Sequence, residues 1–310
     1  MSAPGLVSIL SENWTLTPPR DLSALVRMAV EAEEAGFDAV MLSEHVVLGR
    51  GADEHGLPAN PRDYALPGNQ SRDYPWPSSL VLLSAMAAAT TRIRLAAGAI
   101  IAPLRHPLLL AKDLATLDLL SRGRLVVLPT VSWHRAEYDA LGVPFGARGA
   151  RLDEHLAAWR EAWSDGPASF AGEHYRFEDV HVEPKPWRER GPAMWFGGSS
   201  LHRRLLRRLV AYGHGFNPLG TPTDEELGRL RAAMTEAGRD PAELEMVGGT
   251  RGRFPDATGP ADLDEALATI PAQLARGFTH ICIKPSQFLD DRARHGAWCR
   301  DVVARVAALA

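Results

Sequence analysis

Ser43, Glu44 and His45 follow one another at the end of a short apolar run, Asp38–Leu42. A strand end with three polar residues in a row has little packing reason to exist, since a polar group removed from water needs a partner. Of the three, His45 carries the chemistry. An imidazole exchanges a proton near neutral pH, so it can serve as acid or base toward a bound molecule. The plainer reading is a histidine tied to a neighbouring loop.

Gly197-Gly198-Ser199-Ser200 lies between the run Ala193–Phe196 and a helical pattern, Leu201–Tyr212. Two glycines let backbone amides approach a ligand closely, and the positive end of the following helix favours an anion such as a phosphate. In isolation, such a tetrad is more often a tight turn with a capping serine. His202, Arg203 and Arg204 follow and add positive charge. In Ala97-Gly98-Ala99-Ile100 a glycine inside an apolar strand indicates a bulge or a close backbone approach. In Val127-Leu-Pro-Thr-Val-Ser-Trp-His134, Pro129 removes a ladder donor, so this strand end should splay and present Thr130, Ser132, Trp133 and His134. Trp133 would then wall a cavity suited to a flat or cyclic apolar substrate, with outer-helix packing as the alternative. Glu137 and Arg151 are weaker candidates, each able to line a pocket or to bridge helices.

Several chemistries are excluded. No Gly-x-Gly-x-x-Gly follows the first strand, so a nicotinamide on a Rossmann unit is disfavoured. A barrel metallohydrolase would show His-x-His where this chain has Ile9-Leu-Ser-Glu-Asn13, and zincin and Cys-x-x-Cys patterns are absent, so no metal is expected. Net charge is −4 with both signs interspersed, which leaves no footprint for nucleic acid. No basic segment followed by an apolar run opens the chain, and Leu95–Leu104 is too short to cross a bilayer, so a cytoplasmic protein without membrane contact is expected. Cys282 and Cys299 read as buried structural thiols.

The elements that must position these residues alternate along the whole chain. Apolar runs at Leu6–Leu10, Asp38–Leu42, Ile93–Ala99, Leu125–Val131, Ala193–Phe196, His214–Asn217, Leu244–Gly248 and Thr279–Lys284 read as strands. Helical periodicity covers Asp21–Ala35, with Gly36 as its stop, and then Ser79–Thr90, Pro107–Leu120, Arg135–Leu141 and Arg151–Trp163. It returns at Leu201–Tyr212, Asp224–Ala237, Asp262–Ala275 and Asp291–Leu309. Eight strands alternating with helices imply a parallel (β/α)8 barrel, and residues 1–310 fit one such domain. Stretches 47–77 and 143–192 break the rhythm where barrel active sites are built, and the first has the composition of a substrate lid.

The stretch Ser84–Arg124, with Ser43-Glu44-His45 and Met194-Trp-Phe-Gly-Gly-Ser-Ser200, resembles the luciferase-like monooxygenase superfamily, and the resemblance covers most of the chain. It implies a luciferase-like TIM barrel, an enzyme, and a small-molecule substrate. The implied cofactor is coenzyme F420, favoured by the segment His106–Gly142, with reduced FMN as the alternative. A 5-deazaflavin does not activate oxygen as FMN does, so the cofactor decides between hydride transfer and a monooxygenase fed by a separate flavin or F420 reductase. A non-catalytic flavin-binding protein is the third reading. The resemblance implies a homodimer, a histidine beside the ring at His45, a non-prolyl cis peptide near Gly98 and the cofactor phosphate at Gly197–Ser200. On this basis His45, Ser132 and Trp133 are expected at the reacting atoms. Ser43, Glu44, Gly98, Ala99, Thr130, Gly197, Gly198, Ser199 and Ser200 are expected around the cofactor. The chain departs from its relatives at strand four, where they run Leu-Gly-x-Gly-x-Gly. The family's alcohol and sugar-phosphate dehydrogenases also pair the histidine with a tryptophan four residues on and a glutamate after strand four. Those positions hold Gly49 and Trp133, which disfavours that constellation here. Arg105-His106-Pro107, Asp118, Ser121, Arg122 and Arg124 are expected to be structural.

Overall fold

The computed structural model describes residues 3–309. The strands are β1 (Gly5–Ile9), β2 (Ala39–Leu42), β3 (Arg94–Ile101), β4 (Leu125–Thr130), β5 (Ala168–Ala171), β6 (Arg176–Val180), β7 (Ala193–Phe196), β8 (Gly215–Phe216), β9 (Glu245–Gly249) and β10 (His280–Ile283). All but β5 and β6 close into a barrel in the order β1-β2-β3-β4-β7-β8-β9-β10, every pair parallel. The (β/α)8 barrel read from the alternation is therefore present. Its strands are apolar on both faces because helices cover the outside and side chains fill the inside. Val7, Met41, Val126, Trp195, Val247 and Cys282 belong to the inner cluster. At the N-terminal end Trp195 donates to Glu245, which also pairs with Arg94, so that end is closed by a structural network.

The helices are α1 (Leu22–Ala35), α2 (Ser79–Ala89), α3 (Pro107–Leu120), α4 (Arg135–Ala140), α5 (Arg148–Ala162), α6 (Arg203–Tyr212), α7 (Asp224–Glu236), α8 (Leu263–Leu267), α9 (Ile270–Ala275) and α10 (His295–Ala307). Gly36 ends α1 at φ 101°, a left-handed conformation that glycine adopts without penalty. Arg124 donates to the Ala87, Thr90 and Ile93 carbonyls, which gives it the framework role expected of it. Among the described residues, no helix is long and apolar enough to cross a membrane. Cys282 and Cys299 are both free and buried, and burial pushes each thiol up to about 12.

Three features differ from the sequence reading. The expected helix Asp262–Ala275 is two pieces, because Pro271 near the start of α9 has no amide to continue the ladder. The 143–192 stretch contains an antiparallel hairpin, β5–β6, with Phe170 stacked on Phe177. And the irregularity expected at Pro129 lies mainly across the ladder: Pro129 pairs with Ile100, and the register slips between Gly98 and Ile100. On its other side β4 meets β7 only through Val126 and Val127, so Pro129 lies beyond that ladder and denies no partner a donor.

Candidate active site at the C-terminal end of the barrel

Ser43 donates its hydroxyl to the Gly98 carbonyl at 2.8 Å and its amide to Ser11 Oγ at 2.6 Å, tying β2 to the bulge in β3 and to the end of β1. The Gly98–Ala99 peptide is cis. A Cβ on Gly98 would meet Met41 Sδ at 3.1 Å, so the side chain inside the barrel already accounts for the glycine. Glu44, expected beside the cofactor, is held on all sides by the protein. Its buried carboxylate takes both terminal nitrogens of Arg105, at 2.7 and 3.0 Å, together with the Ser79 hydroxyl and the Ile101 amide. Both oxygens are committed, which gives Glu44 a framework role and explains the adjoining Arg105.

The densest arrangement surrounds His45, whose side chain is 8% exposed beside a fully buried Glu137. Glu137 accepts from the amides of Val46 at 2.5 Å and Val47 at 3.4 Å, from the Ser132 hydroxyl at 3.1 Å and from His45 Nδ1 at 3.3 Å. A carboxylate only accepts, so Nδ1 carries the hydrogen in this contact, and in the neutral ring Nε2 is the acceptor. Ser132, at φ 56°, spends its hydroxyl on Glu137 and is thus a positioning residue. The rings of Trp133 and Trp76 meet the His45 ring edge-on, at 5.8 and 5.4 Å between centroids. Trp133 stands beside the histidine, not under the outer helices, while Thr130 ends β4 half-buried opposite Ile101. His134 Nε2 accepts from the Gly49 amide at 2.8 Å, and burial holds its pKa below the usual histidine range.

Glu137 is the residue that the sequence reading underrated. Its only signal was spacing, five residues after Ser132 and on the first turn of a short helix. Trp76 was passed over as part of the lid, although a tryptophan between two prolines, Pro75 and Pro77, is a rigidly held aromatic. The reason for Gly49 is also visible: a Cβ there would lie 2.9 Å from Ala136 Cβ, so a tryptophan at that position does not fit. A histidine with a carboxylate and tryptophans is nonetheless assembled, from other positions. That removes the sequence argument against such a constellation.

Gly197–Ser200 has a different character. A Cβ on Gly197 would lie 2.1 Å from the Asn217 carbonyl, so this glycine is demanded by the neighbouring chain. Gly198 is less crowded, with Leu205 Cδ2 at 3.2 Å. The helix begins at Arg203, later than expected, and its cap is His202, whose Nδ1 accepts from the Leu205 amide. Gly198, Ser199 and Ser200 line a narrow cleft with Glu226, and Glu226 accepts from the Leu201 amide at 2.9 Å. Arg204 and Arg208 on α6 share Asp153 of α5, which ties the two helices together near their N-terminal ends. The buried Nε atoms of Arg148 and Arg151 have no partner there. A cavity of about 660 Å³ lies at the opposite end of the barrel near Met194 and His214. There Arg160 and Arg239 cap the carbonyls that end α6.

The model of the luciferase-like monooxygenase family matches residues 5–275. The chain belongs to that family. Among family members, an FMNH2-dependent dimethylsulfone monooxygenase of Pseudomonas putida is 30% identical over 188 residues, 60% of this chain and 46% of that protein. The matches span about half the length of such curated relatives. The crystal structure of the monooxygenase RslO1 from Streptomyces bottropensis superposes with a TM-score of 0.73 at 20% identity, over 97% of this chain and 98% of that one. An F420-dependent secondary alcohol dehydrogenase superposes with a TM-score of 0.72 at 16% identity, over 99% of each chain. Both likenesses establish the luciferase-like fold.

Proposed function

We propose that this chain is an oxidoreductase that binds coenzyme F420 across the C-terminal end of the barrel and uses His45 to move the proton that accompanies hydride transfer. The observation that carries the reading is the contact between His45 Nδ1 and the buried Glu137, with Trp133 and Trp76 on either side. When bound, the cofactor supplies hydride transfer to or from a small organic substrate. The chain's own residues do the rest. Glu137 fixes the tautomer, Nε2 accepts or returns a proton at the substrate oxygen, and the tryptophans exclude water from that exchange. The buried Nε–H groups of Arg148 and Arg151, which have no partner, would be free to donate to an anionic cofactor, and Ser199 and Ser200 would hold its phosphate. Ala99, at the bulge, would back the ring.

The second reading is an FMNH2-dependent monooxygenase supplied by a separate flavin reductase. It is favoured by the 30% identity over 188 residues with an FMNH2-dependent relative. Anaerobic titration of the protein with reduced FMN and with reduced F420 tests the two. Tight binding of F420 with no binding of FMN supports the first reading, the reverse supports the second, and binding of neither overturns both. Val81 on α2 and Leu109 on α3 are 72% and 67% exposed, and we propose that this apolar face joins two copies into a homodimer, to be checked by light scattering.

A further inference from the structure

Lys284 follows β10 at the C-terminal end of the barrel, and its side chain is fully buried. Lysine is almost never found so deep unless its ammonium is paired. Here Nζ donates to one acceptor, the Asp63 carbonyl at 2.9 Å, and the nearest carboxylate oxygen, Glu12 Oε2, stands 3.9 Å away, beyond hydrogen-bond reach. Glu12 follows β1 and is itself 94% buried, in a left-handed backbone conformation at φ 60° that non-glycine residues seldom adopt. Its other oxygen, Oε1, accepts from the Ala65 amide at 2.9 Å. The two side chains thus face each other, each anchored by one bond to the 47–77 insertion and each with hydrogen-bonding capacity left toward the other. Burial pushes Glu12 up and Lys284 down, each toward its neutral form.

The surroundings belong to the same end of the barrel as His45. Ser11, the residue before Glu12, accepts from the amide of Ser43, two residues before His45. The Tyr64 ring lies 5.3 Å from Lys284 Nζ. Trp76 Nε1, Trp14 Nε1, Thr15 Oγ1 and Ser286 Oγ, all in the insertion or just after β1 and β10, are buried donors without partners. Unmet polar capacity among aromatic rings is how a protein prepares a site for a flat molecule with a few polar edges.

We infer that Glu12 and Lys284 together anchor the substrate, and that they take a planar ring presenting a hydrogen-bond donor beside an acceptor, as in a lactam or cyclic amide. A ring N–H donates to Glu12 Oε2 while the adjacent carbonyl accepts from Lys284 Nζ, two parallel bonds across the gap that separates the pair. This inference rests on the oxidoreductase reading, and it adds a recognition element at the same end of the barrel as Glu137.

The test is calorimetric titration of the protein, with and without bound cofactor, using 2-pyridone and N-methyl-2-pyridone as probes. The second keeps the ring and carbonyl but lacks the N–H. Wild type should bind 2-pyridone at least about tenfold more tightly than the N-methyl probe, the ratio expected from one bond to a charged group. Glu12→Gln should erase the preference while keeping an acceptor for the Ala65 amide, and Lys284→Met should weaken both probes. The double variant Glu12→Gln/Lys284→Met leaves no lone buried charge, and it supplies the reading if a single variant fails to fold. Equal wild-type affinity for the two probes, or variants that keep the wild-type ratio, would overturn the inference. A protein that takes up neither flavin nor deazaflavin yet still discriminates the probes would count against the cofactor reading alone.

Discussion

The loop around His45 and the turn at Gly197–Ser200 both end a barrel strand in small or polar residues, yet they are built on different physics. At Gly197 the neighbouring carbonyl of Asn217 leaves no room for a Cβ, so the residue answers to packing. Around His45 the organising element is charge. One buried carboxylate, Glu137, takes two amides and an imidazole from residues 90 to 92 positions away and a hydroxyl from Ser132 five positions away. The first arrangement would exist with no ligand. The second has little structural economy without one, because burying a carboxylate is costly unless it organises something in return.

That contrast can be broken most sharply at the histidine. His45→Ala should lower turnover by roughly 100-fold or more, the scale of a lost general acid or base, with little change in melting temperature. A variant that melts much earlier while keeping its rate per folded molecule would return His45 to a packing role. Glu137→Ala should be costly to the fold as well, by about 3 kcal/mol, since it strands buried donors; denaturant unfolding reads this directly. Glu137→Gln should retain more stability yet shift the pH profile of turnover.

The turn should respond in the opposite sense. Gly197→Ala is expected to destabilise by about 1–3 kcal/mol through the overlap with Asn217. Gly198→Val should leave the fold intact and weaken cofactor binding, and unchanged affinity there would remove the phosphate from this turn. Trp133→Ala should alter substrate preference or KM while cofactor affinity stays within a few fold. The smallest effect concerns acid. Burial lowers the pKa of His134 below its ordinary 6.5, so below that pH the unfolded chain takes up the proton first and the native state loses stability as pH falls. His134→Gln, which keeps an acceptor for the Gly49 amide and does not titrate, should flatten that slope in melts between neutral and acid pH.

Much of this could be read from the chain before folding was considered. Strand and helix positions came through because barrel strands are unbroken apolar runs, and because Gly36 and Pro107 mark helix ends by their own backbone chemistry. His45 stood out because a polar cluster at a strand end is locally anomalous, and the bulge at Gly98 came through because glycine in a strand is locally costly. The β5–β6 hairpin did not, since its strands are short and largely exposed, and a break in Asp262–Ala275 was missed where Pro271 alone announced it.

What the sequence by itself determined was the alternation of elements, and with it the barrel and the end at which polar residues would gather. Only the tertiary structure decided which of those residues meet. Glu44 and Glu137 are both carboxylates near strand ends, but Arg105 neutralises one and His45 meets the other. Local pattern fixes the direction in which a strand presents its neighbours. The partner that a buried charge finds depends on closing the barrel, which brings β1, β2, β4 and β10 to one mouth across nearly the full length of the chain.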